Sequence, residues 1–293
     1  MIFYYRFKKG KLIGEGSFGK VYEYLNRANG TTYAVKELNL EILSKKLNNI
    51  ETAIKVELDL LQKINHPNIV KFYGFFFKSH HLYIILEYCS GGSVSKILKI
   101  IKKNEDIIRQ YTFQILCGLE YLHAHNIIHR DIKCANILIG KNGTCKLTDF
   151  GGAKMIKEEI SIMTSMQGTP NWMAPEIIKG LSPSRFSDIW SVGCTVLEMY
   201  QGEPPYSDKK EFFGVFNSIC KKKELPKIPE EMSDILKDFI AKCLQFEPNK
   251  RANVYELKKH PFFSININDD NTNENSINSI SSRFSLNSKN VIV

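Results

Sequence analysis

The sequence predicts an α+β protein in which a strand-rich part is followed by a largely helical part. Short apolar runs broken by glycines and turn residues occupy roughly the first ninety residues. Further along, the segments 106–125 and 187–202 have the length and apolar spacing of helices. With 43% hydrophobic residues, a chain of 293 residues can bury a large core, so we expect one two-lobed domain or two small ones.

The strand-rich part is predicted to be a sheet that carries one helix. In the segment 50–64, Ile50, Ile54, Leu58 and Leu61 recur at helical spacing. The HPN sequence that follows ends this helix, because proline disfavours helical backbone at the residue before it. The strand candidates are KLIGEG at 11–16, KVYEYL at 20–25, TYAVKEL at 32–38, IVKFYGFFF at 69–77 and HLYIILEY at 81–88.

The composition excludes several classes of protein. No apolar run reaches the roughly 18 residues that span a bilayer, and the first residues lack the order of a signal peptide. The seven cysteines are scattered without CxxC or CxxH spacing, which argues against both a disulfide framework and a zinc site. We therefore expect a reduced, cytoplasmic protein.

The net charge of +9 lies in the main body of the chain, in lysine clusters such as FKKGK, LKIIKK and CKKKE. These clusters are dispersed and lack interleaved aromatic residues, so solvated helix faces are favoured over a nucleic-acid site. A second interpretation is that the positive field attracts an acidic partner. The tail at 264–293 differs, since asparagine and serine make up about half of it, and we expect it to be disordered.

The segment GEGSFGKV contains the pattern GxGxxGxV between two strand candidates. Glycines let a backbone approach phosphates and present N–H groups to them. Alone, the pattern fits a plain glycine-rich hairpin equally well, and it is not a dinucleotide fingerprint because a strand follows it. Beyond it, Lys36 follows the apolar Ala34 and Val35, and a buried lysine needs an anionic partner, for which Glu57 on the predicted helix is the candidate.

The segment NIIHRDIKCANILI at 126–139 starts and ends like a buried β-segment but carries a polar insertion. Buried charges are costly unless they are paired or have a function. Asn136 and Asp149, in the later LTDFGGAK, offer oxygen ligands that suit Mg²⁺. Asp131 would then accept a hydroxyl proton while Lys133 neutralises a transferring phosphoryl group.

Taken together, these motifs resemble those of eukaryotic protein kinases over roughly residues 8–263. GxGxxGxV, YAVK, HRDIKCAN, DFG and APE occur in the order of that family. The resemblance implies a small five-stranded antiparallel sheet plus one helix in an N-lobe at 1–88. A hinge and a mostly helical C-lobe would occupy 89–263, with the tail at 264–293.

The resemblance implies ATP and Mg²⁺ as ligands and assigns roles to individual residues. Asp131 would be the catalytic base, Asn136 and Asp149 would hold Mg²⁺, and Lys36 would contact the α- and β-phosphates while pairing with Glu57. Leu86 would be the gatekeeper, and the backbone of Glu87 and Cys89 would bind the adenine. The residues assigned to ATP are Ile13, Gly14, Glu15, Gly16, Ser17, Phe18, Gly19, Lys20, Val21, Ala34, Lys36, Glu57, Leu86, Glu87, Cys89 and Leu138.

Further roles concern packing and regulation. Glu176 should pair with Arg251, and Thr169 should contact the catalytic aspartate, which together with Lys133 favours a serine/threonine enzyme. Phosphate on a hydroxyl between DFG and APE would order that segment against an arginine such as Arg130. The candidate hydroxyls are Ser161, Thr164 and Ser165, each of which is also explained as an incidental loop residue. An internal apolar column is expected from Leu61, Phe72, His129 and Phe150.

Finer details are most similar to MAP kinase kinase kinases of the MEKK type, which implies a MAP kinase kinase as substrate. An upstream kinase or a small GTPase would regulate such an enzyme. Ste20-like kinases share GTPxWMAPE and are the alternative, whereas a pseudokinase scaffold is disfavoured because Lys36, Asp131, Asn136 and Asp149 are all present. Cys134 replaces the glycine usual in DIKGANIL and is either a reactive thiol or a small residue filling a tight loop.

Overall fold

The computed structural model describes residues 6–16, 19–41, 50–149, 170–209 and 212–264. Its first part is a five-stranded antiparallel sheet with the strand order β1-β2-β3-β5-β4. The helix α1 packs against it, burying Ile54 and Leu58 in one core with Leu82 and Ile84. These elements are β1 (Phe7–Gly16), β2 (Gly19–Asn26), β3 (Thr32–Asn39), α1 (Ile50–Lys63), β4 (Phe72–Lys78) and β5 (His81–Glu87).

The second part is mainly helical, as expected. Its two short strands are β6 (Ile137–Ile139) and β7 (Cys145–Leu147), which pair with each other. Within the described ranges, none of the helices combines the length and apolar character needed to cross a bilayer. The helices are α2 (Leu98–Ile101), α3 (Glu105–Ala124), α4 (Pro175–Ile178), α5 (Arg185–Gln201), α6 (Phe212–Phe216), α7 (Asp234–Cys243) and α8 (Val254–Lys258).

Helix α5 is the centre of the helical part. Every residue from Ser187 to Tyr200 is buried, so this helix is enclosed on all sides. At its start the N–H of Ser184 donates to Oγ of Ser187 at 3.0 Å, and the N–H of Ser187 donates to the carbonyl of Ser184 at 3.1 Å. The helix ends at Gly202 in the left-handed conformation, with φ of 80°. A helix with fixed ends and full burial is a rigid base for the loops that contact it.

Two predicted strands are shorter than the sequence pattern indicated. The strand expected at 69–77 begins only at Phe72, because Ile69 forms a parallel bridge with Leu147 of β7 instead of joining the sheet. Ile127, expected in a β-segment, lies outside any strand, since its N–H donates to the carbonyl of Leu122 at 2.9 Å and closes the end of α3. In both places the apolar side chains are buried as expected, but their backbone groups form hydrogen bonds with the helical part of the chain and not with the five-stranded sheet.

Candidate active site

The glycine-rich segment forms the turn end of the β1–β2 hairpin, with Gly14 opposite Val21. Gly19 has no room for a side chain, because an added Cβ would lie 2.2 Å from the carbonyl oxygen of Glu37. Among the described residues, an added Cβ at Gly14 would meet only Val21, at 3.8 Å, so packing within that part of the chain does not require glycine there. The open side of Gly14 suits a backbone that approaches a phosphate. Four other predicted residues of this hairpin are described. Ile13 is half-buried, Gly16 is paired with Gly19 across the hairpin, and Glu15 and Lys20 form an exposed ion pair of 3.4 Å. Ser17 and Phe18 lie outside the described residues.

Lys36 lies in β3 and reaches from the sheet to the helical part of the chain. Its neighbours Ala34 and Val35 are buried, and its own side chain is only 17% exposed. Its Nζ lies 2.7 Å from Oδ1 of Asp149, which supplies the anion that a largely buried ammonium needs. Glu57 is in α1, but its side chain is outside the described part of the structure, so the expected Lys36–Glu57 pair stays a prediction.

The residues expected to surround an adenine lie along the end of β5 and beyond it. Ala34 and Leu86 are opposite each other on β3 and β5 and therefore share one face of the sheet. Leu138 lies on β6, and Val21 on β2; both are half-buried. Cys89 is buried, and its thiol is held neutral because burial raises its pKa to about 12.

The backbone of this segment has a donor to offer. Among the described residues none accepts a hydrogen bond from the N–H of Cys89, although buried N–H groups are nearly always paired. The N–H of Glu87, by contrast, already donates to the carbonyl of Lys71 at 2.8 Å. A planar heterocycle at this edge could therefore accept a hydrogen bond from the N–H of Cys89. At Glu87 only the backbone carbonyl would be left to accept a hydrogen bond from it.

Asp131, Lys133 and Asn136 form one hydrogen-bonded cluster. Nζ of Lys133 lies 3.0 Å from Oδ1 of Asp131, and Nδ2 of Asn136 donates to Oδ2 of the same carboxylate at 2.8 Å. The amide nitrogen of Asn136 also donates to the carbonyl of Asp131 at 2.8 Å, so its amide oxygen faces away from Asp131. This network fixes the carboxylate of Asp131 between a cation and an amide.

Asn136 and Asp149 provide a donor set that fits a hard cation. Both offer oxygen atoms, and the N–H of Thr148 donates to the carbonyl of Asn136 at 3.1 Å, which brings Asn136 beside the residue that precedes Asp149. No group of three or more His, Cys, Asp and Glu side chains within the described ranges could by itself hold a metal. Asparagine and aspartate oxygens are ligands of the kind that Mg²⁺ takes together with waters and phosphate oxygens.

The loop before Asp131 is held by Asp188, a buried residue of α5 that the sequence reasoning missed. The carboxylate of Asp188 accepts the N–H of His129 at 2.9 Å and the N–H of Arg130 at 2.8 Å, and it contacts Nε2 of His123 at 2.9 Å. These bonds hold Arg130 with φ of 71°, a strained conformation for a residue other than glycine. An acid within the apolar helix 187–202 was the available signal.

The fold and the site now place the chain among known proteins. The pattern that defines the protein kinase domain matches residues 7–263. The chain belongs to the protein kinase family. The predicted α+β two-lobed fold is confirmed by that match and by the five-stranded sheet above.

Curated relatives narrow the similarity further. The chain is 42% identical over 267 residues to mitogen-activated protein kinase kinase kinase A of Dictyostelium discoideum, covering 90% of this chain and 28% of that protein. It is 46% identical over 265 residues to mitogen-activated protein kinase kinase kinase 2 of Arabidopsis thaliana, covering 88% and 40%. It is also 46% identical over 260 residues to cell division control protein 7 of Schizosaccharomyces pombe, covering 88% and 24%. The chain thus spans less than half the length of each of these relatives.

A second acid of α5, Glu198, joins the catalytic loop of the kinase to the segment before APE. Its Oε2 accepts the N–H of Cys134 at 3.0 Å and the indole Nε1–H of Trp172 at 2.8 Å. Lys133 lies over the Trp172 ring, with Nζ 5.9 Å from the ring centroid. Burial raises the pKa of Glu198 above its ordinary value, and these donors act against that effect. Neither Glu198 nor Trp172 was singled out from the sequence.

Cys134 is enclosed by these contacts. It is 0% exposed, and burial raises the pKa of its thiol well above the ordinary value. Its Sγ lies 3.8 Å from the carbonyl of Thr195 in α5. A neutral thiol without solvent access is a poor nucleophile, so the structure favours the interpretation of a small residue filling a tight loop.

The predicted pair between Glu176 and Arg251 is present. Nη1 and Nη2 of Arg251 donate to the two carboxylate oxygens of Glu176 at 2.6 and 2.7 Å, with side-chain exposures of 0% and 9% for Arg251 and Glu176. The arginine also donates to the carbonyls of Gln245 at 2.7 Å and Phe186 at 2.8 Å. This cluster fastens the APE segment to the base of the helical lobe.

A second ion pair connects the two lobes behind the hinge. Nζ of Lys146, on β7, lies 3.1 Å from Oε2 of Glu87 at the end of β5, with side-chain exposures of 13% and 24%. Lys146 also donates to the carbonyl of Pro67 at 2.7 Å, and the N–H of Lys71 donates to Oε2 of Glu87 at 3.2 Å. The carboxylate of Glu87 therefore has a structural partner that the sequence did not reveal.

The remaining predicted residues divide into two sets. Of the apolar column, Leu61 and His129 are buried and Phe72 is packed against the core, and the stacking of these residues on one another stays a prediction. The other expected residues fall outside the described ranges: Phe150, Ser161, Thr164, Ser165 and Thr169. The tail at 265–293 lies outside them as well.

Proposed function

We propose that the chain transfers the γ-phosphoryl group of Mg·ATP to a serine or threonine hydroxyl of a protein, in the manner of the serine/threonine protein kinases whose family it shares. The observation that carries this proposal is the joining of two clusters. Lys36 meets Asp149 at 2.7 Å, and Asp131 is held between Lys133 and Asn136. The hydrogen bond from Thr148 to Asn136 then sets the two clusters side by side.

Each side chain has a defined task in this proposal. Asp131 orients the substrate hydroxyl and accepts its proton, while Lys133 balances negative charge on the phosphoryl group in flight. Lys36 holds the α- and β-phosphates, and the hairpin around Gly14 covers them with backbone N–H groups. Positioning and charge stabilisation account for most catalysis of phosphoryl transfer, so a rigid cluster matters more than any single proton transfer.

Mg²⁺, when bound, would neutralise charge on the phosphates. Asn136 and Asp149 are the residues that would hold it, since both present oxygen atoms. Val21, Ala34 and Leu138 would enclose the adenine, with the Cys89 N–H as donor and Leu86 behind it.

A phosphorylation assay tests the proposal. Purified protein with Mg·ATP should phosphorylate itself or a generic protein, and Lys36→Met or Asp149→Asn should reduce the rate by at least about 10²-fold. Matched controls are Lys96→Met and Asp234→Asn, which change exposed side chains of the same chemistry and should leave the rate unchanged. Equal low rates for wild type and all four variants would refute the proposal.

We further infer that the physiological substrate is a MAP kinase kinase. The names of two of the relatives above support this inference, and the cell division control protein of equal identity shows why it needs its own test. Inactive MAP kinase kinases should be phosphorylated within their own activation segments. Modification confined to other sites would favour the Ste20-like alternative. Running the assay with and without phosphatase pretreatment tests whether an upstream kinase activates the chain.

We also propose the division into an N-lobe at 1–88 and a hinge and C-lobe at 89–263, supported by the sheet ending at Glu87. A cytoplasmic location is supported by the cysteines, since all seven are free and none forms a disulfide. Fractionation of cells that express the protein would test the location.

A further inference from the structure

One lysine cluster of the sequence is left without a role by the proposed active site. It is the run Lys221–Lys223, which begins at the last residue of the π-helical turn Asn217–Lys221 that follows α6. All three lysines are exposed, and only Lys222 has an acidic partner among the described residues, namely Glu224 at 3.6 Å. Lys227, nearby in the chain, is also exposed and forms no ion pair within the described ranges. The same stretch also contains Glu224, Glu230 and Glu231, but Glu231 is paired with Lys103 at 2.9 Å, so lysines are in excess here.

Exposed apolar side chains accompany this charge. Phe213 in α6 is 60% exposed, although Val215 of the same helix and Ile219 of the following turn are both 1% exposed and anchor this region in the core. Leu225 is 40% exposed and lies beside the turn, because the N–H of Glu224 donates to the carbonyl of Ser218 at 2.8 Å. Large aromatic side chains that remain exposed on a well-anchored helix are typical of interaction sites.

This surface adjoins the segment that leads to the active site. Helix α6 packs against the turn Pro170–Trp172, and the π-helical turn packs against α4, which carries Glu176 of APE. The Sγ of Cys220 lies 3.9 Å from the carbonyl of Pro175. Trp172 in turn contacts Lys133 and, through Glu198, the catalytic loop. A protein bound to α6 would thus contact the helix that packs on the turn Pro170–Trp172, and this turn contacts Lys133 of the Asp131 cluster.

We propose that Phe213, Leu225, Lys221–Lys223 and Lys227, here called the α6 surface, form a docking site for an acidic region of the protein substrate that presents an apolar side chain to Phe213. This inference rests on the proposed function, since it concerns how that activity selects its substrate. Charge complementarity carries the choice of partner. Of the acids near the four lysines, Glu224 is paired with Lys222, Glu231 with Lys103 and Asp208 with Lys209, so the lysines that remain unpaired within the described ranges favour carboxylates on the partner protein. A nucleic acid fits less well, because a single aromatic side chain offers no succession of stacking platforms.

The test compares a folded substrate with a short one. An inactive MAP kinase kinase and a short peptide copied from its activation segment are phosphorylated by wild type, by Phe213→Ala and by the triple variant Lys221→Glu/Lys222→Glu/Lys223→Glu. We expect KM for the folded substrate to rise by roughly tenfold or more in both variants with kcat unchanged. KM for the peptide should stay at the wild-type value, because the peptide lacks the acidic region that is proposed to bind the α6 surface. Raising the salt concentration should raise KM for the folded substrate in wild type but not in the triple variant.

Two controls match the variants in exposure. Tyr255→Ala removes an aromatic side chain that is 53% exposed on α8, and Lys99→Glu reverses an exposed charge on α2; both should behave as wild type. If wild type phosphorylates neither substrate, the proposed function fails. If it phosphorylates both and the α6 variants have wild-type KM values, only the docking inference fails. Loss of binding to anionic vesicles or to single-stranded DNA in the triple variant, with KM for the folded substrate unchanged, would also overturn it.

Discussion

Replacing Arg251 with alanine should destabilise the kinase domain more than any surface substitution. Arg251 is fully buried and makes four short hydrogen bonds, two to the Glu176 carboxylate and two to the carbonyls of Gln245 and Phe186. Alanine removes all four of these hydrogen bonds and leaves the carboxyl group of Glu176, whose side chain is only 9% exposed, without its arginine partner. Water has little access to such a site and cannot replace the lost partner.

The magnitude follows from these contacts. Breaking a buried pair by removing one partner costs about 3 to 5 kcal/mol, and the two backbone carbonyls lose their partners as well, so we expect a loss of about 4 kcal/mol. Single domains are stable by only about 5 to 15 kcal/mol, so this loss is a large share of the total. With a slope of about 2 kcal/mol per molar urea, the unfolding midpoint should fall by about 2 M.

Urea unfolding followed by tryptophan fluorescence measures this shift. The neighbouring residue supplies the control: Lys250 pairs with Glu247 at 3.1 Å, but both side chains are 63% exposed, so Lys250→Ala should change the stability by less than about 0.5 kcal/mol. A cycle with Glu176→Ala separates the pair from its surroundings, and the double variant should cost at least about 2 kcal/mol less than the sum of the single variants. A loss below about 1 kcal/mol for Arg251→Ala, or additive losses, would refute the reasoning.

Two further predictions concern the groups beneath the catalytic loop. Because burial raises the pKa of Glu198, the folded state binds its proton more tightly than the unfolded state, and stability declines as pH rises from the ordinary value of 4.5 towards the raised pKa. Glu198→Gln, whose amide oxygen can still accept from Cys134 and Trp172, should remove that decline when urea unfolding is measured between pH 4 and 8; an unchanged pH profile would count against it. Thiol alkylation followed by mass spectrometry should label the half-buried Cys117 and Cys220 in the native protein and Cys134 only after unfolding, so early labelling of Cys134 would contradict its assigned burial.

Patterns of period two and 3.6 were sufficient to predict the sheet and the long helices. Helix α1 was recovered almost to its ends because Ile54 and Leu58 face a core formed by adjacent strands. The same apolar signal overextended β4 at Ile69 and placed Ile127 in a strand. A run of apolar residues indicates that the side chains are buried, but it does not indicate which groups their backbone N–H and C=O will hydrogen-bond.

The candidate active-site residues were predicted by motif, whereas the residues that position them were not. Asp188 lies 58 positions beyond Arg130 and Glu198 64 beyond Cys134, and in both cases the acid bonds to backbone N–H groups. Every residue other than proline has a backbone N–H, so the residue type of the donor does not indicate such a bond. Neither contact can therefore be recognised in the sequence as a pair of oppositely charged residues. The pair of Glu176 and Arg251 was predicted only through the family resemblance, for a similar reason of distance along the chain.

The placement of both acids on α5 explains how one buried helix can organise the site. Asp188 accepts hydrogen bonds from two backbone N–H groups of the loop before Asp131. Glu198 accepts one from the backbone of the loop after Asp131 and another from the indole of Trp172. Each carboxylate would be costly in the core by itself, and each is stabilised only when those donors are in place. The loop around Asp131 and the turn Pro170–Trp172 are therefore both held by the same rigid helix. Helix α6 packs on the same turn, Pro170–Trp172. A partner protein bound to α6 would therefore be held at a fixed distance from Asp131.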